Sequence, residues 1–302
     1  MRGCRIAASV LIAVLTALPT AFAQQDESPV PESSAPKSPT PKSPAPKTPT
    51  SENALSESSA AKSVPKEGTP TPAVPIIIAP QSSRAGRALF DQKRYTEARP
   101  YLEKACNLGN FDSCGLLGDF YYYGYGGVDQ DYKQTRLLDR EACEGGSIES
   151  CGNLGLLYEK GLGGARDYAA ARAFYKKACN GGSVARCSAL SMLYLNGFGG
   201  GQDYGEANAL FRKACDGGFL LGCTALGSLY QNGQGTLPDA RQARTLYEQA
   251  CNGGEMVGCS WLGRLYEIGL GGPQDFGQAR ALFRKACDGG FKEACDEIPR
   301  LP

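Results

Sequence analysis

The sequence predicts an all-α protein built from repeated helical hairpins, and three observations support this fold class. First, the 302-residue chain contains six pairs of cysteines whose members are separated by seven residues. Second, the pairs recur every 36 residues apart from one step of 37, and a fixed period in this range marks a repeat array. Third, apolar residues recur at helical spacing on both sides of each pair. An array of helix-turn-helix units follows from these features.

Residues 1–23 are predicted to be a secretory signal peptide. Arg2 and Arg5 form a basic start, residues 6–17 an apolar core, and Ala21-Phe22-Ala23 a small-residue cleavage site. The apolar core is shorter than the roughly 20 residues of a membrane-spanning helix, so no transmembrane segment is expected in the mature chain. Cleavage near Ala23 leaves 12 of the 13 cysteines, an even number that fits complete pairing in an oxidising compartment. We therefore expect a secreted or periplasmic protein.

Residues 24–80 are predicted to be a disordered linker rich in Pro, Ser, Thr and Lys. Pro-Lys-Ser-Pro or Pro-Lys-Thr-Pro motifs start at Pro36, Pro41 and Pro46, and the segment has no aromatic residue. Such a composition cannot bury enough apolar surface to fold, and it favours an extended tether. Residues 81–302 form the predicted repeat domain and carry equal numbers of acidic and basic side chains. This balance argues against a nucleic acid as partner, because nucleic-acid-binding domains need a basic surface.

The helical hairpins can be placed along residues 84–295. The first is predicted at residues 84–90 and 95–106, with Pro100 tolerated near the first turn of its second helix. In the fuller repeats, residues such as Leu154 and Tyr158 form the core side of the first helix, and Ala171 that of the second. An aspartate stands where each second helix should begin, and its expected role is to cap that helix. These aspartates are Asp131, Asp167, Asp203, Asp239 and Asp275.

The cysteine spacing favours disulfide bonds that close short loops. In most copies a Gly-Gly step follows the first cysteine and can reverse the chain, which brings two antiparallel helices together. Such a hairpin can hold the α-carbons within the roughly 4.4–6.8 Å that a disulfide requires. Pairing across 28 residues, as between Cys151 and Cys179, and zinc binding without any histidine are the alternatives. The favoured pairs are Cys106–Cys114, Cys143–Cys151, Cys179–Cys187, Cys215–Cys223, Cys251–Cys259 and Cys287–Cys295.

At these residues the sequence resembles the SEL-one-like repeat, a relative of the tetratricopeptide repeat. Leu-Gly, Tyr, Gly-x-Gly, Asp-Tyr, Ala and Ala-Cys recur in register, and the cysteine pairs look most like those of the bacterial cysteine-rich Hcp proteins, often named β-lactamase-like. The resemblance implies an α-solenoid of stacked helix-turn-helix repeats, about 36 residues each, cross-linked by short-loop disulfides. It also implies that the first helix of each repeat lines a concave face.

The family label raises β-lactam binding or weak hydrolysis as an alternative function, but the residues do not favour it. Segments 34–37 and 63–66 match Ser-x-x-Lys, yet both lie in the predicted linker, where nothing would hold a catalytic geometry. The chain has no histidine, which removes Ser-His and Cys-His nucleophile pairs. The Gly-rich loops lack the Lys-Ser/Thr of a phosphate-binding loop and are expected to be turns. We predict no catalytic residue, no metal and no cofactor.

The residues expected to bind a partner lie on the variable side of the first helices. Counted from the cysteine of each first helix, positions +2, +5, +8 and +9 differ between copies and form one stripe turned away from the core. A solvated face without a ligand, and burial of Trp261 between repeats, are the alternatives. We predict a protein-interaction scaffold that binds a peptide or protein partner in a concave groove. The predicted binding residues are Asp119, Tyr122, Tyr123, Asn153, Leu156, Met192, Asn196, Ser228, Asn232, Trp261 and Arg264.

Overall fold

The computed structural model describes residues 79–302, which form thirteen α-helices and, within that range, no β-strand. The predicted signal peptide and the predicted linker up to residue 78 lie outside the described residues. The first helix begins at Ala79, slightly before the predicted domain boundary at residue 81. The helices are α1 (Ala79–Asp91), α2 (Tyr95–Asn107), α3 (Phe111–Tyr123), α4 (Tyr132–Glu144), α5 (Ile148–Lys160), α6 (Tyr168–Asn180), α7 (Val184–Asn196), α8 (Tyr204–Asp216), α9 (Leu220–Asn232), α10 (Ala240–Asn252), α11 (Met256–Ile268), α12 (Phe276–Asp288) and α13 (Lys292–Cys295).

The helices form hairpins that stack in chain order. Each helix packs against the next, so that α1–α2, α3–α4, α5–α6, α7–α8, α9–α10 and α11–α12 are hairpins and each hairpin packs on its successor. Odd-numbered helices are called first helices below, and even-numbered helices second helices. First helices also contact one another: α9 meets both α7 and α11, and α1 meets α3. The array is an all-α solenoid, as predicted.

Capping groups set where the helices begin and end. Asp131 accepts hydrogen bonds from two backbone N–H groups in the first turn of α4, and Asp167 accepts one in α6. Asp203, Asp239 and Asp275 cap α8, α10 and α12 in the same way. These bonds confirm the predicted capping role, since they satisfy N–H groups that have no partner inside the helix.

The glycine-rich loops after the first helices are turns that pack on the preceding hairpin. Gly163 has a φ of 74°, a conformation that favours glycine. A Cβ atom at this position would lie 2.2 Å from the carbonyl oxygen of Tyr132 at the start of α4. Gly199, Gly235 and Gly271 approach the first residues of the second helices α6, α8 and α10 of their preceding hairpins about as closely. Close packing between hairpins therefore requires these glycines.

Six disulfide bonds join the second helix of each hairpin to the helix that follows it. Their α-carbons are 4.4 to 4.9 Å apart. The pairing across 28 residues is not adopted. Because the bonds connect hairpins rather than the two helices of one hairpin, they clip the array together along its length. The bonded pairs are Cys106–Cys114, Cys143–Cys151, Cys179–Cys187, Cys215–Cys223, Cys251–Cys259 and Cys287–Cys295.

A buried aromatic ring recurs in the second helices, and one hairpin departs from this pattern. Eight residues after the capping aspartate, four second helices carry a fully buried ring, from Tyr175, Phe211, Tyr247 and Phe283. The ring packs closely on the first helix of its own hairpin; a Cβ atom at Gly155 would lie 2.6 Å from the Tyr175 ring. The same position in α4 is occupied by Asp139, which is also buried. Among the five second helices that begin with a capping aspartate, α4 is the one that has a carboxyl group where the other four have a ring.

An arginine that recurs in α4, α6, α10 and α12 ties its hairpin to the residues that follow. The Arg172 guanidinium group donates to the carbonyl oxygens of Leu193 at 2.9 Å and Gly201 at 3.0 Å, and lies 4.2 Å from the centroid of the Tyr194 ring. Arg136 makes the equivalent bonds to the α5 hairpin. The guanidinium thereby adds a hydrogen bond to a carbonyl near the end of the next first helix and another to a carbonyl in the loop after it.

The same contact closes the carboxyl-terminal side of the array. Arg280 donates to the carbonyl oxygens of Leu301 and Pro302. Helix α13 has only four residues and is followed by a short 3-10 turn at Ile298–Arg300. The residues after α12 therefore take the place that the next hairpin occupies elsewhere, as a cap does in a solenoid.

Helix α8 lacks the recurring arginine, and this leads to a test of its contribution. Asn208 stands in its place, with a buried Nδ2 group that has no hydrogen-bond partner. We expect Asn208→Arg to raise the free energy of unfolding by about 1 kcal/mol, because the guanidinium can reach carbonyl groups of α9. Arg172→Asn should lower it by about 1–3 kcal/mol, because the Gly201 carbonyl loses its side-chain donor and the contact of the guanidinium with the Tyr194 ring is lost. Urea unfolding of both variants measures these changes, and a destabilised Asn208→Arg protein would contradict the assignment.

The expected position of Pro100 near the start of its helix is wrong. Helix α2 begins at Tyr95, so Pro100 lies in its second turn, where the missing N–H group leaves the carbonyl of Thr96 without its helical donor. Both Pro100 and Thr96 are exposed, so water can replace the missing donor. The helix therefore continues through the proline on its solvent side.

Candidate functional site

The predicted binding residues all lie on first helices, from α3 to α11, and none of them is buried. We call these eleven residues the inner stripe. Tyr123, Asn196 and Asn232 are exposed, and the other eight are half-buried. Asn196 and Asn232 each donate their Nδ2 group to a carbonyl one turn earlier in the same helix, which fixes the amide orientation. The inner stripe is therefore an accessible and partly ordered surface.

The expectation that the inner stripe is turned away from the core needs correction. Trp261 stacks on the Tyr247 ring of the preceding hairpin, with 6.2 Å between ring centroids and 22° between ring planes, and it packs against the carboxyl-terminal core. Leu156 likewise packs against a core cluster that includes Tyr175. Arg264 is paired with Glu267 at 3.1 Å and with Glu297 at 3.2 Å. Neighbouring hairpins bring core residues close to these positions.

Trp261 should therefore contribute to stability. We expect Trp261→Ala to lower the free energy of unfolding by about 2 kcal/mol, less than the 3–5 kcal/mol typical of a fully buried aromatic residue. The loss should appear mainly as faster hydrogen exchange in α10 to α12, because each hairpin contacts chiefly its neighbours. Trp261→Phe, which retains a ring over Tyr247, is the control and should lose less than half as much. An unchanged melting curve for Trp261→Ala would contradict this structural role.

Position +8 of the first helices has a packing role that the sequence pattern did not reveal. Glu159 accepts a hydrogen bond from the Tyr175 hydroxyl at 2.6 Å, and Gln231 accepts one from Tyr247 at 3.0 Å. Where the aromatic residue is Phe211, which has no hydroxyl, the +8 residue is the buried Leu195. The +8 side chain therefore complements the core ring of its own hairpin. In the α3–α4 hairpin the +8 residue is Tyr122, and the core position opposite it is occupied by Asp139 instead of an aromatic residue.

The amino-terminal end of the inner stripe contains a small polar cavity between α1, α3 and α5. Its volume is about 40 Å³. Asp119 and Asn153, both predicted binding residues, line it together. Residues that the sequence reading missed complete the wall: Arg87, Asp112, Gly115, Leu116, Ser147, Glu149 and Ser150. Negative side chains outnumber positive ones around this cavity.

The pKa values of two carboxyl groups are strongly raised here. One is Asp119, which lines the cavity, and the other is Asp139, which is bonded to Ser150 in the cavity wall. Burial raises the pKa of Asp119 to about 7, with a further contribution from Glu149, while Arg87 acts in the opposite direction. Burial also raises the pKa of Asp139 to about 8, and the negative charge of Asp119 adds to this effect. A carboxyl group such as Asp119, which lines a cleft and has a strongly raised pKa, is typical of functional sites. Asp139 could have been found in the sequence as the one break in the recurring aromatic position.

The described residues offer no cluster suited to a metal ion at the cavity. The one grouping of three potential ligands among residues 79–302 is Cys106, Cys114 and Glu141. Its two sulfur atoms are joined in a disulfide and cannot bind as thiolates. The carboxylates of Asp119, Asp139 and Glu149 are not gathered within metal-binding distance of one another.

Stacked hairpins clipped by disulfides, with an accessible variable stripe on the first helices, define a helical-repeat scaffold protein. The model of the Sel1 repeat matches the chain six times and covers more than half of it. The protein belongs to the Sel1 repeat family, whose members are generally protein-interaction scaffolds. The matched segments are residues 91–110, 112–147, 148–183, 187–219, 220–255 and 257–291.

Solved structures of Sel1 repeat proteins share this architecture. A Sel1 repeat protein from Oxalobacter formigenes is 25% identical with a TM-score of 0.67, over 72% of this chain and 86% of that one. A protective antigen of uropathogenic Escherichia coli strains, with an SLR fold, is 26% identical with a TM-score of 0.69, over 73% of this chain. This chain spans about half of that antigen, 48% of its length. Cysteine-rich protein B of Helicobacter pylori is 31% identical over 41% of this chain and 89% of that one, with a TM-score of 0.35.

No curated protein sequence matches the chain. None of the comparisons supports the β-lactam alternative, and the two Ser-x-x-Lys segments lie outside the described residues. Among residues 79–302, every helix is too short or too polar to cross a bilayer. Six disulfide bonds are compatible with an extracytoplasmic protein, because such bonds persist in oxidising compartments.

Proposed function

We propose that the protein is a secreted or periplasmic scaffold that binds a peptide or protein partner along the inner stripe. The observation that carries this proposal is the contrast between two sets of positions on the first helices. Positions that pack the hairpins, such as Cys151, Leu154 and Leu157, are buried and recur in kind. The eleven residues of the inner stripe are accessible and differ from hairpin to hairpin. Variation on an accessible face of a regular array suits recognition of one extended partner.

The character of the inner stripe changes along the array, which favours an extended partner over a compact one. At its start, Tyr123 is 45% exposed and stacks on Tyr125, with 5.0 Å between ring centroids. The middle presents the ordered amides of Asn196 and Asn232. The far end carries the half-buried Trp261. Aromatic side chains are frequent anchors of protein interfaces, and the two ends each provide one.

Contacts between first helices support a groove on this side. Helix α9 touches both α7 and α11, so first helices of consecutive hairpins lie side by side. An array that is tighter on one side curves toward that side, as helical-repeat proteins do. The inner stripe would then line the concave surface.

Export is the second part of the proposal, and it rests on the disulfides together with the signal-like residues 1–23. Six bonds that clip consecutive hairpins require an oxidising environment to form and persist. Fractionation followed by amino-terminal sequencing tests export directly. Mature protein that begins near Gln24 in the extracytoplasmic fraction is the expected result, and a cytosolic chain that retains Met1 would contradict it.

The binding test compares two matched tyrosines. A partner is first captured from extracytoplasmic extract with the mature chain and then titrated by calorimetry against variants. Tyr123→Ala in the inner stripe should weaken binding at least tenfold, since an interface anchor typically contributes more than about 1.4 kcal/mol. Tyr101→Ala on the second helix α2, where the tyrosine is 38% exposed, is the control and should bind normally. Equal losses in both variants, or none in either, would refute the inner stripe as the binding surface.

A further inference from the structure

We propose that the junction between the α7–α8 and α9–α10 hairpins is a hinge. We call the side of the array formed by the loops between first and second helices the loop edge, and the side formed by the disulfide-bonded turns the turn edge. The junction opens at the loop edge and pivots about the Cys215–Cys223 disulfide at the turn edge, whose α-carbons are 4.6 Å apart. The motion alters the distance between Asn196 and Asn232, the inner-stripe residues that end α7 and α9 at the loop edge.

Two contacts fasten the loop edge at the preceding junction, between α6 and α7. The Arg172 guanidinium donates to the carbonyl oxygen of Gly201, in the loop between α7 and α8, at 3.0 Å. Phe198, the second residue of the same loop, stacks on the Tyr168 ring at the start of α6, with 4.7 Å between ring centroids and 14° between ring planes. The loop is therefore held against the preceding hairpin by one polar and one aromatic contact.

The α8–α9 junction lacks both contacts. Asn208 takes the place of the arginine, and Gln234 stands at the second position of the loop between α9 and α10. The Nδ2 atom of Asn208 and the Oε1 atom of Gln234 are buried and have no hydrogen-bond partner among the described residues. Thr236 replaces a glycine that elsewhere lies against the guanidinium, as Gly200 lies against Arg172. Three positions that fasten the loop edge elsewhere are therefore changed together at this junction.

The substituted side chains also make the closed junction costly. A buried donor or acceptor without a partner destabilises the state in which it is buried. Opening of the loop edge exposes Asn208 and Gln234 to water, so this cost is removed in the open state. Leu237 of the same loop is 84% exposed and adds little packing to the closed state. The close approach of Gly235 to the Tyr204 backbone is retained, so the junction can still close.

The turn edge of the same junction stays fastened. The Cys215–Cys223 bond joins α8 to α9 covalently. Arg212, one turn before Cys215 on α8, donates to the Tyr230 hydroxyl and lies 5.7 Å from the centroid of that ring. A junction that is tied at one edge and released at the other rotates about the tied edge, as hinges between packed units do.

A hinge at this place bears on partner binding. It divides the inner stripe into one part that runs from Asp119 to Asn196 and another that runs from Ser228 to Arg264. Opening or closing of the loop edge shifts these two parts relative to each other, and so fits the inner stripe to the length of an extended partner. This use rests on the proposed function, whereas the hinge itself is a property of the free protein.

The test measures distances between two spin labels in the free mature chain by electron paramagnetic resonance. The labels are attached through noncanonical amino acids, which leaves the disulfide bonds intact. The hinge pair is Asn196 and Ile268, and the control pair is Tyr123 and Asn196. Each of these residues ends a first helix, and each pair is two hairpins apart, but only the hinge pair crosses the α8–α9 junction. We expect the distance distribution of the hinge pair to be at least twice as wide as that of the control pair.

Two variants test which contacts control the hinge. Asn208→Arg combined with Gln234→Leu and Thr236→Gly restores the residue types of the α4–α5 junction, and it should narrow the hinge pair to the width of the control pair. Arg172→Asn combined with Phe198→Gln removes both contacts at the α6–α7 junction, and it should widen the control pair at least twofold. Circular dichroism checks that each variant is folded, and the unaltered protein decides the matter if one is not.

A hinge pair no wider than the control pair would overturn the hinge. The same conclusion would follow from an unchanged hinge pair in the folded restored variant, or from an unchanged control pair in the folded variant that lacks both contacts. These measurements contain no partner, so their failure would leave the proposed binding along the inner stripe untouched. Failure of that binding would likewise leave the hinge in place.

Discussion

Reduction of the six disulfide bonds is expected to unfold the array. Each bond closes a nine-residue loop, for which loss of unfolded-chain entropy corresponds to about 2.6 kcal/mol. Six such bonds approach about 15 kcal/mol, the upper end of the stability of a typical domain. The bonds lie between hairpins, so their loss weakens every junction of the solenoid at once.

The measurement is far-ultraviolet circular dichroism during titration with a reductant, combined with counting of free thiols. Helical signal should fall as thiols appear, with no added denaturant. A variant with Cys179→Ser and Cys187→Ser is the control for a single junction, and it should lose about 2–3 kcal/mol while the distant hairpins keep their protection from hydrogen exchange. A fully reduced protein that still melts cooperatively within a few degrees of the oxidised one would show that packing alone holds the array together.

The second large effect is a pH dependence that originates at Asp139. In the folded protein this carboxyl group stays protonated up to a pKa of about 8, whereas in the unfolded chain it ionises at its ordinary value of 3.8. The folded state therefore binds more protons between these values, and stability must fall as pH rises from about 4 to about 8. The difference of roughly four pKa units corresponds to a contribution of the order of 6 kcal/mol.

Asp139→Asn should remove that dependence. Its free energy of unfolding should match that of the unaltered protein at pH 5 and exceed it by several kcal/mol at pH 8.5, because an amide cannot ionise. Urea unfolding at the two pH values measures both differences. Asp216→Asn serves as the control, and we expect equal stability changes at the two pH values. An Asp139→Asn protein that is destabilised at pH 8.5 would contradict a buried carboxyl group whose ionisation is unfavourable.

The fold followed from the sequence because its determinants are local and repeated. A capping aspartate such as Asp167 acts within one turn of its own helix, and a left-handed glycine such as Gly182 reverses the chain just after the cysteine that ends a helix, so their positions predicted where helices begin and end. The disulfide pairs followed for the same reason, since each closes a short loop across one turn. Helix α2 begins at Tyr95, where the sequence predicted it, and only the depth of Pro100 differs, because this proline lies one turn further into the helix than the first turn.

The site was less predictable, because it depends on contacts between hairpins. Trp261 was expected to face a partner, yet the preceding hairpin brings Tyr247 against it. Asp139 was not predicted, because the expected recognition residues lie on the first helices, whereas this carboxyl group lies on a second helix and is bonded to Ser150 in the cavity wall. A comparison of all copies at the buried aromatic position would have identified it.

The most direct test of the inner stripe as the binding surface is site-specific photo-crosslinking in the living cell. A photoreactive amino acid is placed at Asn232, exposed on the first helix α9, and at Gln249, exposed on the second helix α10 of the same hairpin. The two positions share a hairpin, so a difference between them reports the face of the array and not the location along it. We predict one discrete extracytoplasmic adduct from Asn232 and none from Gln249. The same adduct from Gln249, with none from Asn232, would place the partner on the opposite face and contradict the proposed function.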